Sequence, residues 1–341
     1  MQRRKIAFTI CLGLAVVMCV SGTALAQYQL KNLVSNQVGK ALHTDPLLVN
    51  AWGLAYGPGG PFWISDAGSG WSTLYDGHGV AQSLQVVIPS QSGAGPGSPT
   101  GIVFNGSSDF MVQGWSSFFL FATLDGTVSA WSPQTNFNDA LIQVDNSSSG
   151  AVYTGLAVTS NAAGNFLYVT DVANNKVDVY DGTFTWVKSF TDSALPAGFA
   201  PFGIQDIGGF VYVTFADSTG ATGGFIDIFQ EDGTFVRTLA QGKPLNQPWG
   251  LAVAPKNFGK FSNALLVSNN TNNGTINAFN AVSGKFLGTL RDSNGKNLVI
   301  DQLWGIEFGG GTANNGRTNQ LFFTAGPHNN KAGTFGVIHA K

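Results

Sequence analysis

Beyond its first 26 residues the chain has no cysteine, since Cys11 and Cys19 both lie in the N-terminal segment. Thiol catalysis and disulfide bracing are therefore excluded for the remainder, and a chain bound for an oxidising compartment must rely on a large core. Charge is scarce as well, at 11% of 341 residues. Residues 1–26 hold three of the 17 Lys and Arg and none of the 19 Asp and Glu, which leaves 14 cations against 19 anions. A mildly acidic body offers no basic field to gather phosphate backbones, so nucleic acid is excluded as a partner class. Long apolar runs are missing outside the N-terminal segment, as is any helical periodicity. There is no G-x-S-x-G elbow, H-E-x-x-H, P-loop or EF-hand loop, so no familiar catalytic signature directs the search.

What the N-terminal segment does contain is Arg3, Arg4 and Lys5, then an apolar run from Ala7 to Val20, then Ala24-Leu25-Ala26. This is the pattern of a secretory signal peptide over residues 1–26, which leaves residues 27–341 as a single exported domain. Secreted or periplasmic localisation is the expectation, with no membrane anchor in the mature chain.

Glycine is abundant, at 45 residues, and six of these recur in one phrase. Trp52-Gly53-Leu54, Thr100-Gly101-Ile102, Thr154-Gly155-Leu156, Phe202-Gly203-Ile204, Trp249-Gly250-Leu251 and Trp304-Gly305-Ile306 are spaced 48, 54, 48, 47 and 55 residues apart. Each is followed by a buried strand such as Leu167-Tyr168-Val169-Thr170-Asp171, and then by an alternating strand such as Val177-Asp178-Val179-Tyr180. Turns at Asp76-Gly77, Asp181-Gly182, Asp232-Gly233 and Ser283-Gly284 lead to a fourth strand. Four antiparallel strands per unit of about 50 residues make an all-β, six-bladed β-propeller. A β-helix or sandwich would use the same strands but not this spacing. The sixth unit stops after its third strand, and an orphan strand, Tyr28 to Ser35, precedes the first, so the N-terminal strand is expected to complete the last blade.

In such a ring the loops entering the inner strands share one face with the loops joining second and third strands. Three sets of residues on this upper face bear on function. Trp52, Tyr153, Phe202, Trp249 and Trp304 stand at the mouth of the inner strands, where they would either stack on a sugar ring or apolar ligand or wedge between blades. His43, Asp45 and His328 lie in loops at the junction of the last and first blades, where two imidazoles and a carboxylate would suit a metal or a general base. His78 and His339 fall outside that set. Asp66, Asp171 and Asn269 follow second strands and would offer oxygen ligands to Ca²⁺ or another divalent cation, although Asp and Asn there also commonly bond their own loop.

The phrases Asn50-Ala51-Trp52-Gly53-Leu54, Pro61-Phe62-Trp63-Ile64-Ser65-Asp66, Pro248-Trp249-Gly250-Leu251-Ala252 and Phe323-Thr324-Ala325-Gly326-Pro327 resemble an uncharacterised bacterial family of exported proteins, some with a C-terminal PEP-CTERM sorting tail. The chain ends at Lys341 without that tail, so release rather than retention is expected. More loosely, Gly155-Leu156-Ala157 and Val169-Thr170-Asp171 resemble NHL-type propellers, a group that includes binding scaffolds, metal-dependent lactonases and an antibiotic-opening lyase. No catalytic residue of those enzymes maps onto a motif in this chain, and fold analogy does not transfer activity.

The residues therefore point to a monomeric, non-catalytic binding or scaffold propeller that meets an extracellular glycan or a protein surface through its upper face. The competing reading is a lactonase-like hydrolase or lyase in which Asp66, Asp171 and Asn269, with His43, hold a divalent cation that polarises a carbonyl.

Overall fold

The computed structural model describes residues 28–93 and 95–341. The expected signal peptide, residues 1–26, lies outside them.

Five four-stranded antiparallel sheets and one five-stranded sheet form the six blades. Their inner strands are Ala51–Tyr56, Pro99–Phe104, Tyr153–Asn161, Phe199–Asp206, Pro248–Val253 and Leu303–Phe308, here blades 1 to 6. Each packs on the inner strands either side, and the sixth meets the first, so the ring closes. Closure is as expected, because Tyr28–Ser35 pairs antiparallel with Thr334–Ala340 and completes blade 6. Tyr28 ties that strand to blade 5, its hydroxyl donating to the Phe258 carbonyl at 2.9 Å and its ring stacking on Phe261. A fifth strand, His43–Thr44, which the sequence did not suggest, runs parallel to the completed edge.

The apolar residues that alternate along each strand meet those of the next blade, and the core is a series of inter-blade layers rather than one centre. Trp63, for instance, stacks on Phe119 of blade 2 with ring centroids 4.2 Å apart. Two of the four expected turns differ in detail. Positive φ falls on Gly79 and Phe184 rather than on Gly77 and Gly182. The Asp76 and Asp181 carboxylates instead accept from backbone N–H groups two and four residues on, which sets the turn without a left-handed residue at the second position.

Candidate functional site

The repeated phrase is irregular in every blade. The pairing of inner and second strands shifts register between Ala51 and Leu54, Phe121 and Thr123, Tyr153 and Gly155, Pro201 and Gly203, Pro248 and Leu251, and Leu303 and Ile306. These bulges redirect the residue ahead of each repeated glycine. The glycines are required by what they then face. A Cβ on Gly53 would lie 2.4 Å from the Thr100 carbonyl oxygen, and one on Gly203 2.1 Å from that of Trp249.

Hydroxyls of the second strands clasp this contact. Ser268 Oγ accepts from Gly250 N at 2.8 Å and donates to the Trp304 carbonyl at 2.6 Å. Thr324 Oγ1 accepts from Gly305 N and donates to the Trp52 carbonyl. In blade 2 Ala122 replaces the hydroxyl, and Thr100 Oγ1 reaches Tyr153 O at 2.8 Å instead. Thr170, Thr214, Ser268 and Thr324 thus clasp the backbone of the next blade, whereas Ser65 Oγ in blade 1 is buried without a partner.

The redirected side chains fill the axis. Trp52, Phe202, Trp249 and Trp304, from blades 1, 4, 5 and 6, touch one another, which is possible only on the shared axis. Trp52 and Trp304 stack with centroids 3.5 Å apart, and Trp249 meets both edge-on at 6.3 and 6.0 Å. Ala67 and Leu124, from loops of the upper face, pack on the cluster and place it at the upper mouth. Trp52 and Trp304 are buried, whereas Trp249 and Phe202 are half-buried. Trp304 Nε1 donates to Asn50 Oδ1 at 3.0 Å and Trp249 Nε1 to Thr154 O at 3.0 Å. Trp52 Nε1 is buried without a partner. The upper mouth is therefore an apolar floor, with no charged side chain in the cluster.

Tyr153 does not join this floor. It is buried within blade 3, its hydroxyl shared with Tyr180 and Asp178, because it lies one residue too early to be turned inward by the bulge. Burial raises its pKa far above the ordinary phenol value.

His43, Asp45 and His328 are not brought together. His43 is exposed and lines a lower cavity with His78 and His339. His328, at positive φ, donates its backbone N–H to Asp301 and lines a different cavity of about 270 Å³. Asp45 is buried, accepting from Tyr75 Oη and from Leu47 N at 2.9 Å each.

Asp66, Asp171 and Asn269 belong to blades 1, 3 and 5, and each is engaged locally. Asp66 Oδ2 accepts from Thr73 N and Oγ1, Asp171 Oδ1 from Val152 N and Asn174 N, and Asn269 bonds Asn246 N and Pro244 O. Asp66 Oδ1 is buried and unpartnered, and burial, with the charge of Asp45, pushes the Asp66 pKa well up. Among the described residues no three His, Cys, Asp or Glu gather as a metal site would require.

Comparison with known proteins fits this architecture. The chain is 32% identical to uncharacterized protein R648 of Acanthamoeba polyphaga mimivirus, covering 92% of this chain and 81% of that protein. It belongs to the R648 family. A second protein of the same virus, L690, is 29% identical over 83% of this chain and 79% of its own length. The R648-type relatives are viral, whereas the phrases resemble a bacterial family, and they lend no support to a sorting tail. No protein-family model matches the chain. Among solved structures, a streptogramin B lyase superposes with a TM-score of 0.57 at 12% identity, covering 92% of this chain and 98% of that one. The gluconolactonase XC5397 from Xanthomonas campestris does so at 0.56 and 13%, covering 86% and 88%. At these identities the likeness is one of fold.

Proposed function

We propose that this protein is an exported, non-catalytic binding propeller that takes a ring-faced ligand, of the class of extracellular glycans, on its upper mouth. The observation that carries the reading is the half-buried Trp249 and Phe202, each packed against the stacked Trp52 and Trp304, with Trp249 also held by its N–H bond to the Thr154 carbonyl. A rigid aromatic face that costs little entropy to hold in place suits the apolar face of a sugar ring. Export rests on the N-terminal pattern of basic residues, apolar run and Ala24-Leu25-Ala26.

Titration of the protein with a panel of neutral oligosaccharides, followed by tryptophan fluorescence, tests this. Trp249→Ala should abolish binding while leaving a folded protein, and binding that survives the substitution would overturn the reading.

The lactonase-like alternative has one observation in its favour, the unpartnered buried oxygen of Asp66 beside Asp45. Turnover of small lactones that disappears on chelation and in Asp66→Asn would favour it over binding alone.

A further inference from the structure

At the lower end of the seam between blade 6 and blade 1 lies a cavity of about 730 Å³, remote in composition from the aromatic mouth. Lys31, His43, His78, Arg317 and His339 all line it, and no Asp or Glu does. After residue 26 the chain has only 14 Lys and Arg and 4 His, so this one cavity gathers a large share of its basic groups.

The walls are held in place from both blades. Loop 309–319 of blade 6 folds back on itself, with Gly311 N donating to Gly316 O at 2.8 Å and Asn315 Oδ1 accepting from Thr312 N and Oγ1. The blade 1 turn presses against it, since a Cβ on Gly77 would lie 2.5 Å from Gly316 N. Asp76, the acid nearest in sequence, spends Oδ1 on His78 N and Val80 N within that turn. Among the described residues the only ion pair joins Lys176 and Asp178, so Lys31 and Arg317 pair with no carboxylate. His339 Nδ1 is buried without a hydrogen-bond partner.

We propose that this cavity binds an organic oxyanion, a carboxylate, sulfate or phosphate group carried on a small hydroxylated body. Arg317 presents a planar fork of donors and Lys31 a point charge, which is the chemistry that recognises such groups. The imidazoles of His43, His78 and His339 add N–H donors around the same anion. Thr312, Asn319 and Gln320 meet the hydroxyls, and Leu33 and Val337 supply the apolar wall. This site is independent of the aromatic mouth and stands whether or not that mouth binds glycan.

The test is calorimetric titration of the protein at low ionic strength with glucuronate, glucose 6-phosphate, inorganic phosphate and glucose. The two charged sugars should bind and glucose should not. Arg317→Ala should weaken binding roughly tenfold to a hundredfold, the worth of a hydrogen bond to a charged group. Because Arg317 is exposed, its melting temperature should be unchanged. His43→Gln with His78→Gln should weaken binding further, and Trp249→Ala should leave it intact. Phosphate binding as tightly as the charged sugars would overturn the hydroxylated body. An absence of anion binding, or binding that Arg317→Ala leaves unchanged, would overturn the site.

Discussion

At the upper end of the axis Trp52 stacks on Trp304 in a cluster without a single charge, while at the lower end of the blade 6 and blade 1 seam five basic side chains share a cavity without an acid. The two regions differ in how they are encoded. The mouth is made by the repeated phrase itself, in which the aromatic residue before the glycine is turned onto the axis in four of the six blades. The cavity is made where the repeat is least regular, by loop 309–319, the turn at Gly77 and His78, and the added strand at His43. Regular positions secure the ring, and departures from them supply the polar chemistry.

The largest effect is expected at the glycines of the repeated phrase. Gly203→Ala would drive a Cβ to 2.1 Å from the Trp249 carbonyl, which belongs to backbone and cannot yield cheaply. A loss of about 3 kcal/mol or more is expected in chemical denaturation, the upper end of overpacking costs. The same substitution at Gly93, which has open space but positive φ, should cost far less.

Next in size are the tryptophans. Trp304→Ala should cost about 3–5 kcal/mol, as for other large buried aromatics. The phenylalanine variants separate packing from hydrogen bonding. Trp304→Phe leaves Asn50 Oδ1 unpaired, whereas Trp52→Phe removes a buried N–H that has no partner. Trp304→Phe should therefore be the more destabilising by roughly 1–2 kcal/mol. Equal losses would mean that the Asn50 bond contributes nothing.

Smaller and pH-dependent is the effect of Glu307, three residues beyond Trp304 on the same inner strand. Burial pushes its pKa up to about 8. The folded protein then keeps a proton that the unfolded chain has already released, so stability falls as pH rises from the ordinary carboxylate range to about 8. Asp227, pushed up to about 7 by burial, adds to the same slope. Glu307→Gln should raise stability at pH 8 by roughly 1 kcal/mol, discounted for the solvent the side chain still meets, and change little at pH 4. Melting curves of both proteins at the two pH values check this.

The ring was legible in the sequence because its determinants are local and periodic. The six glycine phrases mark the inner strands, and the orphan strand Tyr28–Ser35 marks the closure. The direction of the aromatic side chains was not legible, because strand alternation fails at a bulge, and one register step separates Trp52 on the axis from Tyr153 inside a blade. The gathering of His43 with His78 and His339 was equally hidden. It depends on a parallel strand of two residues and on a loop from a blade more than 250 residues away in sequence. Asp66, Asp171 and Asn269 are the last residues of their second strands rather than loop residues, and local hydrogen bonds take up most of the oxygens that a cation would need.

The most direct test of the aromatic mouth is a titration of the Trp249→Ala protein with the neutral oligosaccharide that binds the unaltered protein best, alongside its melting curve. Glycan binding should be lost, while the protein stays folded and still binds glucuronate at the lower seam. Retained glycan binding in a folded Trp249→Ala protein would show that the aromatic mouth only closes the ring.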